Sequence, residues 1–167
     1  MCIRDRPKGA DEASLARLDA VRHAKGGERS GAIRLAMQKT MQRHAAVFRE
    51  GALLDEGCQK LGDIAGGLRD LGVTDRSKVW NSEVVEAIEL QNLMVQAVAT
   101  MHSAANREES RGAHARDDFK ERDDVNWLKH TLSWVGDDHR PRLGDRAVHL
   151  HTLSNDVEPV PLMKRVY

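Results

Sequence analysis

The stretch from Asn81 to Arg107 reads NSEVVEAIELQNLMVQAVATMHSAANR, and its apolar residues decide the fold class. Val84, Val85, Ile88, Leu90, Met94, Val95, Val98, Met101 and Ala105 recur at the three- and four-residue spacing that places side chains on one face of an α-helix. Asn81 or Ser82 stands ahead of them as an N-cap, a short polar side chain able to accept from a free amide of the first turn. The spacing predicts a helix of about 25 residues, roughly 38 Å long at 1.5 Å per residue. Such a helix needs partners for its apolar stripe, so a helical bundle is expected.

The partners lie upstream. Leu54, Cys58, Leu61, Ile64 or Ala65, Leu68 and Leu71 form the most regular stripe of the chain, closed by Gly72. Gly57, Gly62, Gly66 and Gly67 each cost this helix about 1 kcal/mol relative to alanine, a cost that makes sense where a neighbouring helix approaches closely. Before it, Ile33, Met37, Met41 or Thr40, His44 and Phe48 mark a further helix, with Ser30 as its expected N-cap and Gly51 as a weak interruption. From Ala10 to Lys25, Leu15, Leu18 and Val21 fall three apart behind Asp11 and Glu12, which reads as a short amphipathic helix ended by Gly26-Gly27. The first residues share no pattern with the rest and read as a cloning or gene-assembly scar.

Downstream the texture changes. Ser110 to Asp124 carries nine charged residues in fifteen and little apolar periodicity. Trp127 to Val135 (WLKHTLSWV) alternates, with His130, Leu132 and Trp134 opposite Lys129, Thr131 and Ser133. Gly136-Asp137-Asp138 is a turn signal, and Arg142 to His151 fits a returning strand, so a β-hairpin is expected. Pro159 and Pro161 favour an extended tail. The chain is thus mainly α, divided into an N-terminal stretch 1–9 that shares no pattern with the rest, a helical bundle domain 10–109, and a region 110–167 of charged segment, hairpin and tail.

Composition excludes several functions. The 26 basic and 26 acidic residues cancel, and no basic stripe stands out, so no nucleic-acid partner is expected. No stretch of about 18 apolar residues offers a membrane span. Cys2 and Cys58 form neither a CxxC nor a disulfide framework, which suits a reducing compartment. Eight histidines invite a metal reading, with His149 and His151 on one strand face and His139 nearby. No Cys or carboxylate completes a zinc set, and HExxH, GxSxG, GxGxxG and the P-loop are absent, so no metal, cofactor-binding or catalytic residue is assigned. The run Arg111-Gly112-Ala113-His114-Ala115-Arg116 differs in kind. Gly112 permits a sharp exit from the long helix, and two guanidiniums can clamp carboxylates bidentately. The plain reading is an Arg/Asp ion-pair patch at a helix end; the functional one is a docking surface for a partner or a neighbouring domain.

The string Glu109 to Asp117 (ESRGAHARD), with Asp118-Phe119, Arg122-Asp123-Asp124, Asn126-Trp127 and Lys129-His130-Thr131-Leu132, resembles the C-terminal region of the succinate dehydrogenase/fumarate reductase flavoprotein family. Met37 to Glu50 (MQKTMQRHAAVFRE), Trp80 to Met94 (WNSEVVEAIELQNLM) and Pro159 to Tyr167 resemble the same family, in order, from about Glu12 to the end. The resemblance implies a spectrin-like antiparallel three-helix bundle with a small irregular, hairpin-bearing C-terminal extension. It implies an FAD subunit that oxidises succinate to fumarate, by hydride transfer to the flavin with proton abstraction by an Arg. Electrons would pass to an iron–sulfur subunit and through membrane-anchor subunits to quinone, in a complex peripheral to the cytoplasmic face of a bacterial inner membrane or the mitochondrial matrix face.

The family's FAD fingerprint, flavin-linking His and substrate-binding His and Arg have no counterparts here, so the chain is expected to be a C-terminal fragment that neither holds FAD nor turns over. Arg111, His114 and Arg116 are the residues expected to dock it against the absent FAD and capping domains. Fumarate reductase shares the Arg-Gly-Ala-His string. L-aspartate oxidase has a similar Ser-Arg-Gly segment but lacks the Trp/His-Thr-Leu hairpin and an ending like Lys164-Arg165-Val166-Tyr167. Lys120 departs from the Pro of many bacterial members, which bears on loop stiffness. From another class, a free-standing helical interaction module is the competing reading.

Overall fold

The computed structural model describes residues 9–163. The proposed scar (apart from Gly9), Cys2 and the closing Lys164 to Tyr167 lie outside the described residues. Element order is α1 (Glu12–Arg22), α2 (Ser30–His44), β1 (Phe48–Arg49), α3 (Gly51–Gly66), a 3-10 turn (Gly67–Asp70), α4 (Ser82–Asn106), β2 (Ala115–Arg116), β3 (Lys129–Val135) and β4 (Pro141–Ala147).

Helix α4 spans the 25 residues expected of it. Asn81 is its cap, its side-chain oxygen accepting from the Val84 amide at 3.0 Å. In its first turn the Glu83 carboxylate accepts from the Thr74 and Asp75 amides at 2.9 and 2.7 Å, which fastens the preceding loop to the helix start. Contacts fix the directions of the bundle. Arg29 and Arg34 near the start of α2 reach Glu83, the Glu86 carbonyl and Glu89 near the start of α4, so these helices run parallel. A Cβ on Gly57, early in α3, would meet His44 at the end of α2 and Met101 late in α4, so α3 runs antiparallel to both.

The core is where the three stripes meet. Leu54, Leu61, Leu90, Met94, Val98 and Met101 are its largest fully buried apolar side chains, each worth about 1.5–3 kcal/mol on burial. Ile33, Met37, Thr40 and His44 face it from α2, as the spacing predicts. Of the four glycines expected at close approaches, only Gly57 is at one: its added Cβ would lie 2.7 Å from Met101 Cε, while Gly62 and Gly66 have open space and Gly67 has only ordinary contact with Ile33.

Several expectations are corrected. Leu15 and Leu18 are exposed and only Val21 of the α1 stripe is buried, because α1 leans on α4 through Arg17, whose guanidinium donates to Gln91 and Asn92. Ser30 is the first residue of α2, not its cap; Arg29 occupies the cap position and makes no side-chain cap bond. Helix α2 ends at His44, so Phe48 leaves the stripe and is exposed in β1. Gly51 is not an interruption but the first residue of α3.

The hairpin forms as an antiparallel pair in register from Lys129↔Ala147 to Val135↔Pro141, closed by the His139 amide on the Gly136 carbonyl at 2.9 Å. Burial does not divide its two faces by hydropathy, for Leu132 is half-buried together with its neighbours Thr131 and Ser133. His130 and Trp134 are exposed while Lys129, Thr131 and Ser133 are half-buried, because Arg107 at the end of α4 donates to the Lys129 carbonyl and the Thr131 hydroxyl. Strand β4 stops at Ala147, so His149 and His151 lie beyond it; their rings meet edge to face at 5.6 Å.

Candidate functional site

The charged segment after α4 folds back onto the helix end. A helix leaves its last carbonyls without intrahelical partners, and here Arg116 supplies them. Its Nη1 donates to the carbonyls of Ala104, Ala105 and Arg107 at 3.2–3.3 Å. Its Nε and Nη2 clamp both oxygens of Asp118 at 2.7 and 2.6 Å. Asp118 in turn accepts from the Gly51 amide at 2.9 Å, at the start of α3. A cation thus sits at a helix C-terminus and an anion at an N-terminus, each the favourable sign for that helix dipole. Arg116 is only 4% exposed. Its guanidinium holds the Asp118 carboxyl far below the usual range. Parallel pairing of β1 with β2 (Phe48↔Ala115, Arg49↔Arg116) sets this arginine in place.

Beside it, Glu109 is fully buried. Arg107 and Arg111 both donate to its carboxylate, Arg111 at 2.8 and 3.0 Å, and the Asp123 amide adds a bond at 2.9 Å. Burial pushes this carboxyl up, but the bonds from Arg111, the Asp123 amide and Arg107 outweigh it and the group ends below its ordinary value. Arg111 also holds Asp124 at 2.6 Å, and Arg122 pairs with the same residue at 2.8 Å.

His114 connects the bundle to this cluster. Gly112, at φ +57°, makes the tight turn in which Arg111 and His114 exchange both backbone hydrogen bonds. Arg49 Nη1 lies 2.7 Å from His114 Nδ1, and His114 Nε2 lies 3.1 Å from the Arg107 carbonyl. A guanidinium can only donate, so Nδ1 accepts, Nε2 carries the proton, and the ring is neutral. Burial first, then the charges of Arg49, Arg116 and Arg107, push its pKa below the ordinary value, against the bond to the Arg107 carbonyl.

The expected docking residues are thus brought together but diverge in role. Arg116 is turned inward, whereas Arg111 and His114 reach the wall of an open cleft of about 740 Å³. Arg49, Arg107 and Lys129 share that wall, above a floor that includes Ala99, Leu128, Leu150 and Leu162. Sequence reasoning missed Arg49 and Glu109. Arg49 sits 65 residues from His114, where no spacing rule reaches; Glu109 stood between two arginines with nothing to mark it as buried.

Among the described residues no group of three metal-ligating side chains converges, and no helix is long and apolar enough to cross a membrane. Burial pushes the Cys58 thiol up to about 11, so it is a poor nucleophile. The described residues do not fit a dinucleotide: the parallel pairing is two residues long and opens no glycine-rich phosphate cradle onto a helix.

Similarity to known proteins agrees with this architecture. Residues 34–167 match the family model described as fumarate reductase flavoprotein C-term. The succinate dehydrogenase flavoprotein subunit of Rickettsia bellii is 47% identical over 156 residues, covering 93% of this chain and 26% of the relative. The mitochondrial succinate dehydrogenase [ubiquinone] flavoprotein subunit of Oryza sativa is 47% identical over 160 residues, covering 96% of this chain and 25% of the relative. The chain therefore spans about a quarter of the length of these relatives. Among solved structures, an E. coli quinol fumarate reductase superposes with a TM-score of 0.81 at 34% identity, covering 90% of this chain and 27% of that one. A Mycobacterium smegmatis Sdh1 complex shares the fold, with a TM-score of 0.75 at 23% identity. The chain belongs to the fumarate reductase flavoprotein C-terminal family, with succinate dehydrogenase flavoprotein subunits as its relatives.

Proposed function

We propose that this chain is the C-terminal helical part of the flavoprotein subunit of a succinate dehydrogenase. The observation that carries the proposal is the match of nearly the whole chain, at about 47% identity, to one quarter of subunits bearing that name. In the full-length subunit, FAD and the succinate site belong to the preceding three quarters, and the product is fumarate. Electrons leave through an iron–sulfur subunit to membrane-anchor subunits and quinone. The assembly is peripheral on the cytoplasmic face of a bacterial inner membrane or its mitochondrial counterpart.

The part given to this chain is mechanical. The Arg116–Asp118 pair and the buried Glu109 hold the segment 107–124 against the bundle. That frames a surface on which Arg111 and His114 face the FAD and capping domains. By itself the chain neither holds flavin nor oxidises succinate. Succinate-dependent dye reduction by the full-length subunit, with none by the 167-residue chain, is the expected result; full-length subunit without such activity would overturn the proposal. The E. coli quinol fumarate reductase likeness favours a second reading, a fumarate reductase subunit, and assays run in both directions separate the two.

A further inference from the structure

Four arginines surround His114, and three of them have a carboxylate. Arg107 and Arg111 share Glu109, Arg111 also has Asp124, and Arg116 has Asp118. Arg49 has none among the described residues. Its guanidinium donates to the carbonyls of Ala45 and Ala46 at the end of α2 and to the neutral ring of His114, all uncharged acceptors. It is nonetheless half-buried, and burial alone lowers its pKa with no anion to offset the loss of water. A desolvated cation without a counter-charge is costly to keep.

The surroundings supply no relief from within. Arg49 opens into the 740 Å³ cleft whose wall also carries Arg107, Arg111 and Lys129. The carboxylates near that wall are already taken: Glu109 is enclosed by Arg107 and Arg111, Asp124 by Arg111 and Arg122, and Asp145 by Lys129. Ala99, Leu128, Leu150 and Leu162 line the same cleft, so a group seated there gives up part of its contact with water, which strengthens an ion pair.

We infer that Arg49, at the wall of this cleft, receives a carboxylate from an Asp or Glu side chain of the polypeptide that precedes this chain in the full-length flavoprotein. The occupant follows from two facts. Three quarters of the relatives' length lies outside this chain, and the match is to the family's C-terminal part. The cleft carries a positive excess with one guanidinium left over, so an acidic side chain is the complementary chemistry. The geometry also assigns His114 a positioning part, because its neutral Nδ1 holds one arm of Arg49 and leaves the remaining donors to the cleft. This inference rests on the proposed flavoprotein reading.

The test uses the full-length subunit with a photo-crosslinking benzoylphenylalanine at Ser103, which lines the cleft outside the ion-pair network. Irradiation is expected to link Ser103 to a peptide of the preceding polypeptide that contains Asp or Glu. The yield is expected to fall about 30-fold or more in Arg49→Met, the scale for losing one partner of a desolvated pair, and to survive in Arg49→Lys. Thermal melting of both variants reports separately on the α2 end. Links confined to these 167 residues, links to a second copy of the subunit, or an equal yield in Arg49→Met would overturn the inference while flavin content and succinate oxidation still upheld the flavoprotein reading. Absence of flavin and of succinate oxidation would overturn both.

Discussion

Arg116 shows how a residue that looks like a surface cation becomes structural. Removing its side chain in Arg116→Met leaves Asp118 without its clamp and takes the Arg116 donor from the Ala104 and Ala105 carbonyls of α4 and from the Arg107 carbonyl just beyond it. The expected loss is about 3 kcal/mol in urea unfolding, and Arg116→Lys is expected to recover less than half, because an ammonium cannot form the two-pronged contact. His114 gives a pH dependence. Its folded pKa lies below the ordinary 6.5, so below that pH the unfolded chain takes up a proton that the folded one refuses. Stability therefore falls as pH drops from about 7 toward 5. His102, lowered by burial, adds to the same slope. His114→Gln, which can still accept from Arg49, is expected to flatten part of the slope in urea titrations; an unchanged slope would contradict the neutral-ring assignment. Asp118 and Glu109 act in a separate, lower window, their contributions present above their ordinary values of 3.8 and 4.5 and lost as pH falls below them. At this scale the sequence pointed to the segment Arg111 to Arg116 as an ion-pair patch at a helix end, which the structure shows, but not to the division of labour within it. That depends on β1, whose Arg49 is far away in the chain.

At the scale of elements, periodicity was informative wherever a helix is packed on one face. The bounds and cap of α4, the α2 stripe as far as His44 and the α3 stripe as far as Ala65 follow from spacing, because burial of one face imposes it; α3 stops at Gly66, so Leu68 lies in the 3-10 turn and Leu71 in extended chain beyond it. Helix α1 shows the same spacing without the burial. Leu15 and Leu18 satisfy the pattern, yet polar contacts from Arg17 hold the helix and leave them open; a pattern states which residues can share a face, not whether anything covers it. The glycines of α3 make this testable. Gly57→Ala forces a methyl within 2.7 Å of Met101 and His44 and is expected to cost about 1–3 kcal/mol. Gly62→Ala and Gly66→Ala meet nothing within 4 Å and are each expected to gain about 0.5–1 kcal/mol from helix propensity. Thermal melts of the three variants check both signs together.

On the whole molecule, apolar surface is concentrated away from the hairpin. Trp80 is 98% exposed and stands with Leu15, Leu18 and Val85 around a groove between α1 and the start of α4. Leu162 and Met163 of the tail and Trp134 of the hairpin are exposed as well, Trp134 with the Arg142 guanidinium stacked on its ring, while Trp127 is half-buried beneath Arg107 and Lys129. The isolated chain is expected to associate through the Trp80 groove, so its sedimentation depends on concentration and Trp80→Gln moves it toward monomer; Trp134→Gln does not. The central claim is a division between this chain and the flavin-bearing part of its subunit, and the most direct measurement is the visible flavin spectrum of the purified 167-residue chain after incubation with FAD and gel filtration. The account predicts no flavin absorbance eluting with the protein. A stoichiometric flavin band co-eluting with it would contradict the account.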